Sequence, residues 1–174
     1  MPILLDPANV LLLRRDLAEG DPEYRQLIPY VVFKSAGLLF CYRRAADAGE
    51  TRLSGRQSIG VGGHIEESDI PESWGWDAYQ AAMRREVAEE VDVRASHSER
   101  IVGMIREDSS SVGKVHIGVL HLWELQLPLV TPRGHELAEA AFRPWPEIKA
   151  ARDGFERWSQ IAMRMLGSQM ETTT

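Results

Sequence analysis

The sequence predicts a mixed α/β fold, because strand-like stretches lie on both sides of a long helical one. Runs of β-branched and aromatic residues at 28–33 and 38–44 precede an Ala-, Glu-, Arg- and Met-rich segment at 77–91, and further strand-like runs follow at 101–107 and 114–127. β-branched and aromatic residues favour strands, whereas Ala, Glu, Arg and Met favour helix. Strands before and after a helix place the chain in the α/β class.

The composition is that of an ordinary globular chain. Of the 174 residues, 44% are apolar and the net charge is −6, so we expect a single domain over 1–174 with one good-sized core. The negative charge gives no general electrostatic reason to bind nucleic acid or an anionic membrane, and no apolar run approaches the roughly 18 residues of a membrane span. The lone Cys41 predicts a reducing compartment, hence a cytoplasmic protein.

The first elements are an arm and a hairpin. Residues 1–28 mix a short apolar run with a polar stretch, which predicts an N-terminal arm with about one helical turn. The two runs at 28–33 and 38–44 are separated by Lys-Ser-Ala-Gly, the pattern of a β-hairpin. A third short strand is predicted over 58–61.

The later elements follow the same logic. The helix at 77–91 begins with Asp77 near its N-cap. A second hairpin is predicted to turn at 110–113. A C-terminal helix over 153–167 has apolar residues at helical spacing, which indicates a packing face, and 168–174 is predicted to be a frayed tail. The apolar positions are Phe155, Trp158, Ile161 or Ala162, and Met165.

Three glutamates of the helix lie on one face. Glu86, Glu89 and Glu90 are related as i, i+3 and i+4, so their side chains converge within one turn. Like charges at this spacing are mildly unfavourable unless a cation offsets them. Three carboxylates without thiol or imidazole favour Mg²⁺ or Mn²⁺ over zinc. The alternative is a solvated acidic face with Arg84 and Arg85 as ion-pair partners.

The residues before and around these glutamates resemble a known family motif. The stretches GVGGHIEE and RREVAEEVDV resemble the Nudix box, which contains Gly, five residues, Glu, seven residues, Arg-Glu, a bulky apolar residue, any residue, Glu-Glu, any residue, Gly and a bulky apolar residue. The glycine that starts the pattern corresponds to Gly63. Its second half corresponds to Arg85-Glu86, Val87, Glu89-Glu90 and Val93. The resemblance implies the Nudix fold, an α/β/α sandwich with a mixed β-sheet.

Two positions depart from the family pattern. The distance from Gly63 to Arg85 is 22 residues instead of 14, so eight residues are inserted between loop and helix. Counting back from Arg85 then places Asp77 where the family has its first Glu, a residue that can cap the helix or pair with Arg85. Asp92 replaces the final Gly, and we expect it to take the left-handed conformation that a glycine supplies at a helix end.

The resemblance implies a hydrolase of a nucleoside diphosphate derivative or similar organic pyrophosphate. Carried over position by position, it implies that Glu89 and Glu90 ligate Mg²⁺ or Mn²⁺, and that the Gly63 carbonyl completes the metal shell. Glu86 is expected to ligate the metal or contact the nucleophilic water, and Arg85 to orient the glutamates. A cation is chemically reasonable here, because clustered carboxylates would otherwise repel a pyrophosphate. A small-molecule diphosphate is the expected partner, and a homodimer is allowed.

Many relatives use a further carboxylate, outside the box, as metal ligand or general base. It typically lies on a loop a few residues before a final strand. Glu136 and Glu139 are placed where that loop is expected, and we favour Glu136. Glu107 or Asp108, at the second hairpin turn, is the alternative.

Candidate substrate contacts are arginines and tryptophans. Four arginines surround the expected active-site edge of the first hairpin and could hold phosphates through bidentate contacts: Arg43, Arg44, Arg52 and Arg56. The inserted loop, 66–76, contains Trp74 and Trp76. These either pack the loop onto the body of the protein or form a lid that stacks on a base.

Other residues carry weaker hypotheses. His116 and His121 are five apart on one predicted strand and therefore point to opposite faces, which excludes a shared metal. His64 could reach a phosphate, although a loop histidine is more often structural. Cys41 is interpreted as a small core residue rather than a catalytic thiol. The rival function is a non-catalytic Nudix-fold nucleotide sensor, which would be expected to have lost part of the acidic cluster.

Overall fold

The computed structural model describes residues 1–45, 54–70 and 72–170. Its strands, in chain order, are β1 (Gln26–Ser35), β2 (Leu38–Arg44), β3 (Gln57–Ser58), β4 (Gly60–Val61), β5 (Val91–Val93), β6 (His97–Ile105), β7 (His116–Leu125), β8 (Val130–Pro132) and β9 (Leu137–Pro144). Its α-helices are α1 (Pro2–Leu5), α2 (Arg15–Ala18), α3 (Trp76–Glu90), α4 (Ser111–Lys114), α5 (Trp145–Ala150) and α6 (Arg157–Met170).

The central sheet is mixed. Within the described ranges it has seven strands, with β3-β2-β1-β7-β6 in order, β4 paired with β1 and β9 paired with β2. β1 and β7 are parallel, whereas the other pairings are antiparallel. β5 and β8 form a separate two-stranded sheet. The predicted α/β class with a mixed sheet is confirmed.

Helices cover both faces of this sheet, because its central strand is apolar on both sides. Along β1, Tyr30 and Val32 face one core and Val31 and Phe33 face the other, as the two-residue repeat of a strand requires. The first core is closed by α5 and α6, and the second by α3. The arrangement is the expected α/β/α sandwich.

The first hairpin and the central helix agree with the sequence analysis. Strands β1 and β2 pair in antiparallel register with Lys34 opposite Leu39. The predicted helix at 77–91 corresponds to α3, which buries Ala82, Met83 and Val87 against the sheet. None of the helices in the described ranges is long and apolar enough to cross a bilayer.

Several boundaries differ from the prediction. The arm contains two short helices and a 3₁₀ turn at Pro7–Asn9, rather than one helical turn. The connection expected as a tight turn at 110–113 contains α4, because Ser110 caps a helical turn by accepting from the Gly113 N–H. Helix α6 begins four residues later than expected and extends to Met170, so 168–170 are helical. Strands β5, β8 and β9 and helix α5 were not predicted.

The apolar stripe of the C-terminal helix packs as expected. Phe155 and Ala162 are fully buried, and Trp158, Ile161 and Met165 pack against the same core cluster. Cys41 is buried in this cluster too, with its Sγ 3.6 Å from the Ala141 carbonyl oxygen. Its interpretation as a core residue is confirmed.

Candidate active site

The last two turns of α3 present the glutamate cluster. Met83 and Val87 are buried against the sheet, whereas Glu89 is exposed and Glu86 and Glu90 are partly buried beside them. The loop after β4, which begins with Gly62 and Gly63, lies against this part of the helix. Helix geometry therefore sets the spacing of the carboxylates, and the sheet fixes the loop that faces them.

Arg85 contacts both the glutamates of α3 and the loop that faces them. Its Nη1 donates to Glu86 Oε1 at 3.0 Å and to Glu89 Oε2 at 3.1 Å, and its Nη2 donates to the His64 carbonyl oxygen at 2.9 Å. One guanidinium thus joins two glutamates to the glycine-containing loop. That Arg85 orients the glutamates for catalysis stays a prediction.

The acid that pairs with Arg85 is Asp69, and the proposed pairing with Asp77 was wrong. Asp69 receives two bonds from Arg85, 2.8 Å from Nε to Oδ1 and 2.9 Å from Nη2 to Oδ2, and these bonds lower the pKa of Asp69. Asp77 instead lies in the first turn of α3, whose N-cap is Gly75. Counting five residues after Gly63 leads directly to Asp69, so the eight extra residues follow this aspartate.

Glu86 is packed against the glycine loop. A Cβ added to Gly63 would lie 2.1 Å from Glu86 Oε2, so only glycine allows the carboxylate to approach the backbone here. Burial raises the pKa of Glu86, and the neighbouring Arg85 opposes this rise. The loop and the helix therefore form one closely fitted unit.

Glu90 is the most unusual carboxylate of the group. Its Oε2 is buried and has no hydrogen-bond partner among the described residues. Burial raises the pKa of Glu90 to about 7, the Arg44 charge opposes the rise, and Glu86, Glu136 and Glu156 add to it. A buried carboxylate oxygen without a donor is costly unless a cation or a proton satisfies it.

The oxygen donors of the site suit a hard divalent cation, although the described side chains are not arranged as a complete set of metal ligands. Among the described residues, no group of three or more His, Cys, Asp or Glu side chains is arranged to hold a metal ion. Glu89, whose side chain is 59% exposed, is bound to Arg85. The unpartnered Glu90 oxygen, Glu86 and the Gly63 carbonyl are the oxygen donors that Mg²⁺ or Mn²⁺ prefers, so the residues fit the metal.

A cleft of about 220 Å³ opens beside this cluster. One part of its wall is polar and includes Glu90, Arg44 and Glu136, whereas another part is apolar and includes Ile28 and Trp158. The remaining lining residues are Arg15, Tyr30, Gly62, Gly63, His64, Ser110, Val112, His116, Glu156 and Arg157. The cleft therefore combines acids, arginines and an apolar surface.

The candidate bases outside the box occupy different places. Glu136 lines the cleft, directly before β9, and its charge acts on Glu90. Glu139 lies inside β9 rather than on the loop, with φ 52°, and pairs with Arg43 at 3.1 Å. Of these two, the structure brings only Glu136 to the cleft.

The alternative acids at the second connection make structural contacts. Glu107 is buried and accepts bonds from the backbone and hydroxyl groups of Ser109 and Ser110, which lower its pKa although burial opposes them. Asp108 accepts from Arg25 at 2.7 Å and from Arg106 at 3.0 Å. Neither acid lines the cleft.

The arginines expected to contact phosphates also lie in different places. Arg44 lines the cleft and donates from Nε to Glu156 Oε2 at 3.0 Å. Arg56 lies elsewhere, with its Nη1 3.3 Å from the Asp153 carbonyl oxygen. Arg52 lies outside the described residues.

The two tryptophans of the inserted loop contact protein and not the cleft. Trp74 Nε1 donates to the Leu4 carbonyl oxygen at 2.9 Å, and Trp76 stacks on Tyr79 with a centroid distance of 5.6 Å. Because α3 rises about 1.5 Å per residue, Trp76 is about 20 Å along the helix from Glu90. These contacts pack the loop onto the body of the protein.

The histidines separate as the strand pattern predicts. His116 faces the cleft, with its Nε2 3.1 Å from His64 Nε2, whereas His121 binds the Tyr79 hydroxyl at 2.7 Å on the α3 side of the sheet. The prediction that His116 and His121 point to opposite faces is confirmed. His64 does reach the wall of the cleft.

The helix end differs from the expected geometry. Asp92 was expected in the left-handed region, but α3 passes directly into β5, where Asp92 pairs with Thr131. Among the described residues, the non-glycine residues with positive φ are Ala36 and Glu139. An extended residue at this point has no requirement for glycine.

Other residues from distant segments also surround the cleft, and none of them was among the predicted site residues. Asp69 could have been found by counting from Gly63, but Glu156 and Tyr30 carry no local signal. Glu156, directly before α6, bonds to Tyr30 of β1 and to Ser58 of β3, so the positions of Glu156 and Tyr30 depend on how these elements pack.

Comparison with known proteins agrees with this geometry. No family model matches the chain. Protein YmaB of Bacillus subtilis is 34% identical over 161 residues, which cover 88% of this chain and 77% of YmaB. The solved structure of Tm1382, assigned to the Nudix hydrolases, has a TM-score of 0.76 and 28% identity, and the match covers 91% of this chain and 79% of Tm1382.

A more distant structure shares the fold and carries ligands. It is the bifunctional NMN adenylyltransferase/ADP-ribose pyrophosphatase of Francisella tularensis, complexed with AMP and a Mn ion. The TM-score is 0.60 at 15% identity, and the match covers 84% of this chain and 42% of that enzyme. The sandwich with its loop and glutamate-bearing helix, together with these relatives, shows that the chain belongs to the Nudix hydrolase family and is an enzyme of the Nudix pyrophosphohydrolase type.

Proposed function

We propose that this enzyme hydrolyses a nucleoside diphosphate derivative, or a similar organic pyrophosphate, with Mg²⁺ or Mn²⁺ at the glutamate cluster. The observation that carries the proposal is the buried Glu90 Oε2, which has no donor among the described residues and lies at a cleft with Arg44 on its wall. The Francisella enzyme, which shares the fold, holds AMP and a Mn ion.

Each residue of the cluster has a proposed task. The metal ligands are Glu86, Glu89, Glu90 and the Gly63 carbonyl. Glu89 must leave its bond to Arg85 to take this role, and its 59% exposure leaves it room to turn. When bound, Mg²⁺ or Mn²⁺ would neutralise the phosphate oxygens and lower the pKa of a water molecule.

The other residues bind, orient and move protons. Arg85 holds Glu86 and the loop in place through Asp69, which keeps the carboxylates oriented before substrate arrives. Glu136, on the cleft wall, is the proposed general base that takes a proton from the attacking water. Arg44 is proposed to hold a phosphate oxygen.

A substrate panel tests this function. Purified protein would be incubated with nucleoside diphosphate derivatives, sugar nucleotides and coenzymes, with Mg²⁺, with Mn²⁺ and with chelator. We expect phosphate-containing products from at least one class of diphosphate, only when the metal is present. Micromolar ligand binding without turnover on any compound would instead favour the nucleotide sensor.

A further inference from the structure

Glu156 is a buried acid beside the cleft that no step above uses. It lies directly before α6, is 4% exposed and belongs to the residues lining the cleft. A carboxylate loses strong hydration on burial, so such a group needs charged or polar partners. Its partners show what it does.

The carboxylate is fixed by donors from three strands. Glu156 Oε1 accepts from the Ser58 hydroxyl at 2.7 Å and from the Tyr30 hydroxyl at 3.1 Å. Its Oε2 accepts from Arg44 Nε at 3.0 Å. The Ser159 hydroxyl supports this set, since it lies 2.8 Å from the Tyr30 hydroxyl and accepts from the Ile59 N–H at 3.0 Å. Both carboxylate oxygens are therefore engaged by the protein itself.

The bond through Nε determines how Arg44 enters the cleft. A guanidinium is planar and has five N–H donors, so a contact at Nε sets the orientation of the terminal amino groups. The Tyr42 ring lies 5.6 Å from the Arg44 Cζ and supports the same plane. The Arg44 side chain is 18% exposed, and its charge also acts on Glu90. Arg44 therefore interacts with Glu156, which is held by the protein, and with Glu90 of the glutamate cluster.

We infer that Glu156 is a positioning residue that holds Arg44 for a phosphate oxygen of the substrate. The inference rests on the proposed function. Glu156 itself does not contact substrate, because its oxygens are occupied by Ser58, Tyr30 and Arg44. A buried ion pair contributes little net stability compared with apolar packing, so fixed geometry at a binding wall is the effect that this pair supplies.

A double-mutant cycle tests the inference with methylenediphosphonate, a diphosphate that cannot be hydrolysed, titrated calorimetrically in the presence of Mg²⁺. Arg44→Ala is expected to raise the Kd about tenfold, as for loss of one charged hydrogen bond. Glu156→Gln is expected to raise it by a similar factor, because a neutral amide accepts a weaker hydrogen bond from Nε than a carboxylate does. The double variant is expected to bind no more weakly than Arg44→Ala alone.

Glu139→Gln is the matched control, because it changes the acid that pairs with the neighbouring Arg43 through Nε, and neither Glu139 nor Arg43 lines the cleft. Its Kd should stay within about twofold of wild type. Melting temperatures of all variants separate folding from binding. If Glu156→Gln does not fold, Glu156→Asp keeps the charge but shortens its reach, and the same cycle applies to it.

The outcomes distinguish the two proposals. Wild-type protein that binds no diphosphonate with Mg²⁺ would overturn the proposed function and this inference together. Binding that is weakened by Arg44→Ala but not by the Glu156 variant would overturn only the positioning role. If the increases in Kd of the two single variants multiply in the double variant, the positioning role is also overturned, since Glu156 would then act independently of Arg44.

Discussion

Asp69 and Arg85 form a bidentate pair, with Oδ1 2.8 Å from Nε and Oδ2 2.9 Å from Nη2. Asp69 is 6% exposed and also accepts from the Glu66 N–H at 2.8 Å, so the loop after Gly63 is closed on itself and tied to α3. The same guanidinium contacts Glu86. The orientation of the acidic cluster therefore depends on an aspartate outside the helix.

Asp69→Asn should impair both stability and catalysis. The amide cannot accept both arginine bonds, so the free energy of unfolding should fall by about 1–3 kcal/mol. Misplacement of Glu86 should lower kcat about tenfold or more. Denaturant unfolding and steady-state kinetics would check this. Asp77→Asn is the matched control and should stay within about 0.5 kcal/mol of wild type. Equal effects of the two substitutions would contradict the role assigned to Asp69.

Glu90→Gln should abolish activity and leave the protein folded. Loss of a charged ligand should lower kcat about a thousandfold, at about 1.36 kcal/mol per tenfold. Titration with Mn²⁺, followed by paramagnetic relaxation of water, should show weaker metal binding. Glu147→Gln, an exposed acid on α5, should behave as wild type. Turnover near the wild-type rate in Glu90→Gln would mean that α3 is only an acidic surface.

The same substitution should stabilise the metal-free protein at alkaline pH. The pKa of Glu90 is raised to about 7 in the folded state, above its ordinary value, so its contribution to stability is present at acid pH and is lost as pH rises through about 7. At pH 8 the charged, buried carboxylate is unfavourable. Metal-free Glu90→Gln should therefore be about 1–3 kcal/mol more stable than wild type at this pH, by denaturant unfolding in chelator. A variant less stable than wild type would disagree.

Water should attack phosphorus and not carbon. Hydrolysis in heavy-oxygen water should place the label on a phosphate product, because the proposed metal and Arg44, which lines the cleft, would direct water to a phosphorus atom. Mass spectrometry of the products, with hydrolysis in ordinary water as the control, would check this. Label on the hydroxyl group of a released alcohol would contradict the mechanism, because water would then have attacked carbon.

The tryptophans of the inserted loop should affect stability more than substrate binding. Trp74→Phe removes the donor to the Leu4 carbonyl oxygen, so the melting temperature should fall by about 2–4 °C while KM and kcat stay unchanged. Trp76→Phe preserves the stacking on Tyr79 and serves as the control. A higher KM with unchanged melting temperature, together with substrate quenching of tryptophan fluorescence in wild type, would restore the lid hypothesis.

His121 should make the protein sensitive to acid. Burial lowers the pKa of His121 to about 4, below its ordinary value of about 6.5, so its contribution to stability is present above pH 6.5 and is lost as pH falls through about 4. In His121→Gln the free energy of unfolding should fall less between pH 6.5 and 4 than in wild type. Urea titrations at several pH values measure this difference. Parallel curves for the two proteins would show that His121 does not titrate differently on unfolding.

Local sequence determined the elements whose signal repeats within a few residues. The two-residue alternation along β1 defines its two buried faces, and the i, i+3, i+4 spacing of Glu86, Glu89 and Glu90 defines one face of α3. Both patterns follow from backbone geometry alone, which is the same in every protein. The mixed α/β class followed from strand-like runs on both sides of the helix, and the Nudix resemblance from the Gly63 stretch together with the glutamate-bearing helix.

Only the tertiary structure decided which distant residues meet. Glu156 reaches Arg44 across 112 residues, because several elements must pack before this contact exists. The short strands β5 and β8 were likewise invisible, since three residues carry no periodic signal and only their pairing stabilises them. The chain alone thus specified where the acids stand on the helix, and the packing of the sandwich specified which charges they face.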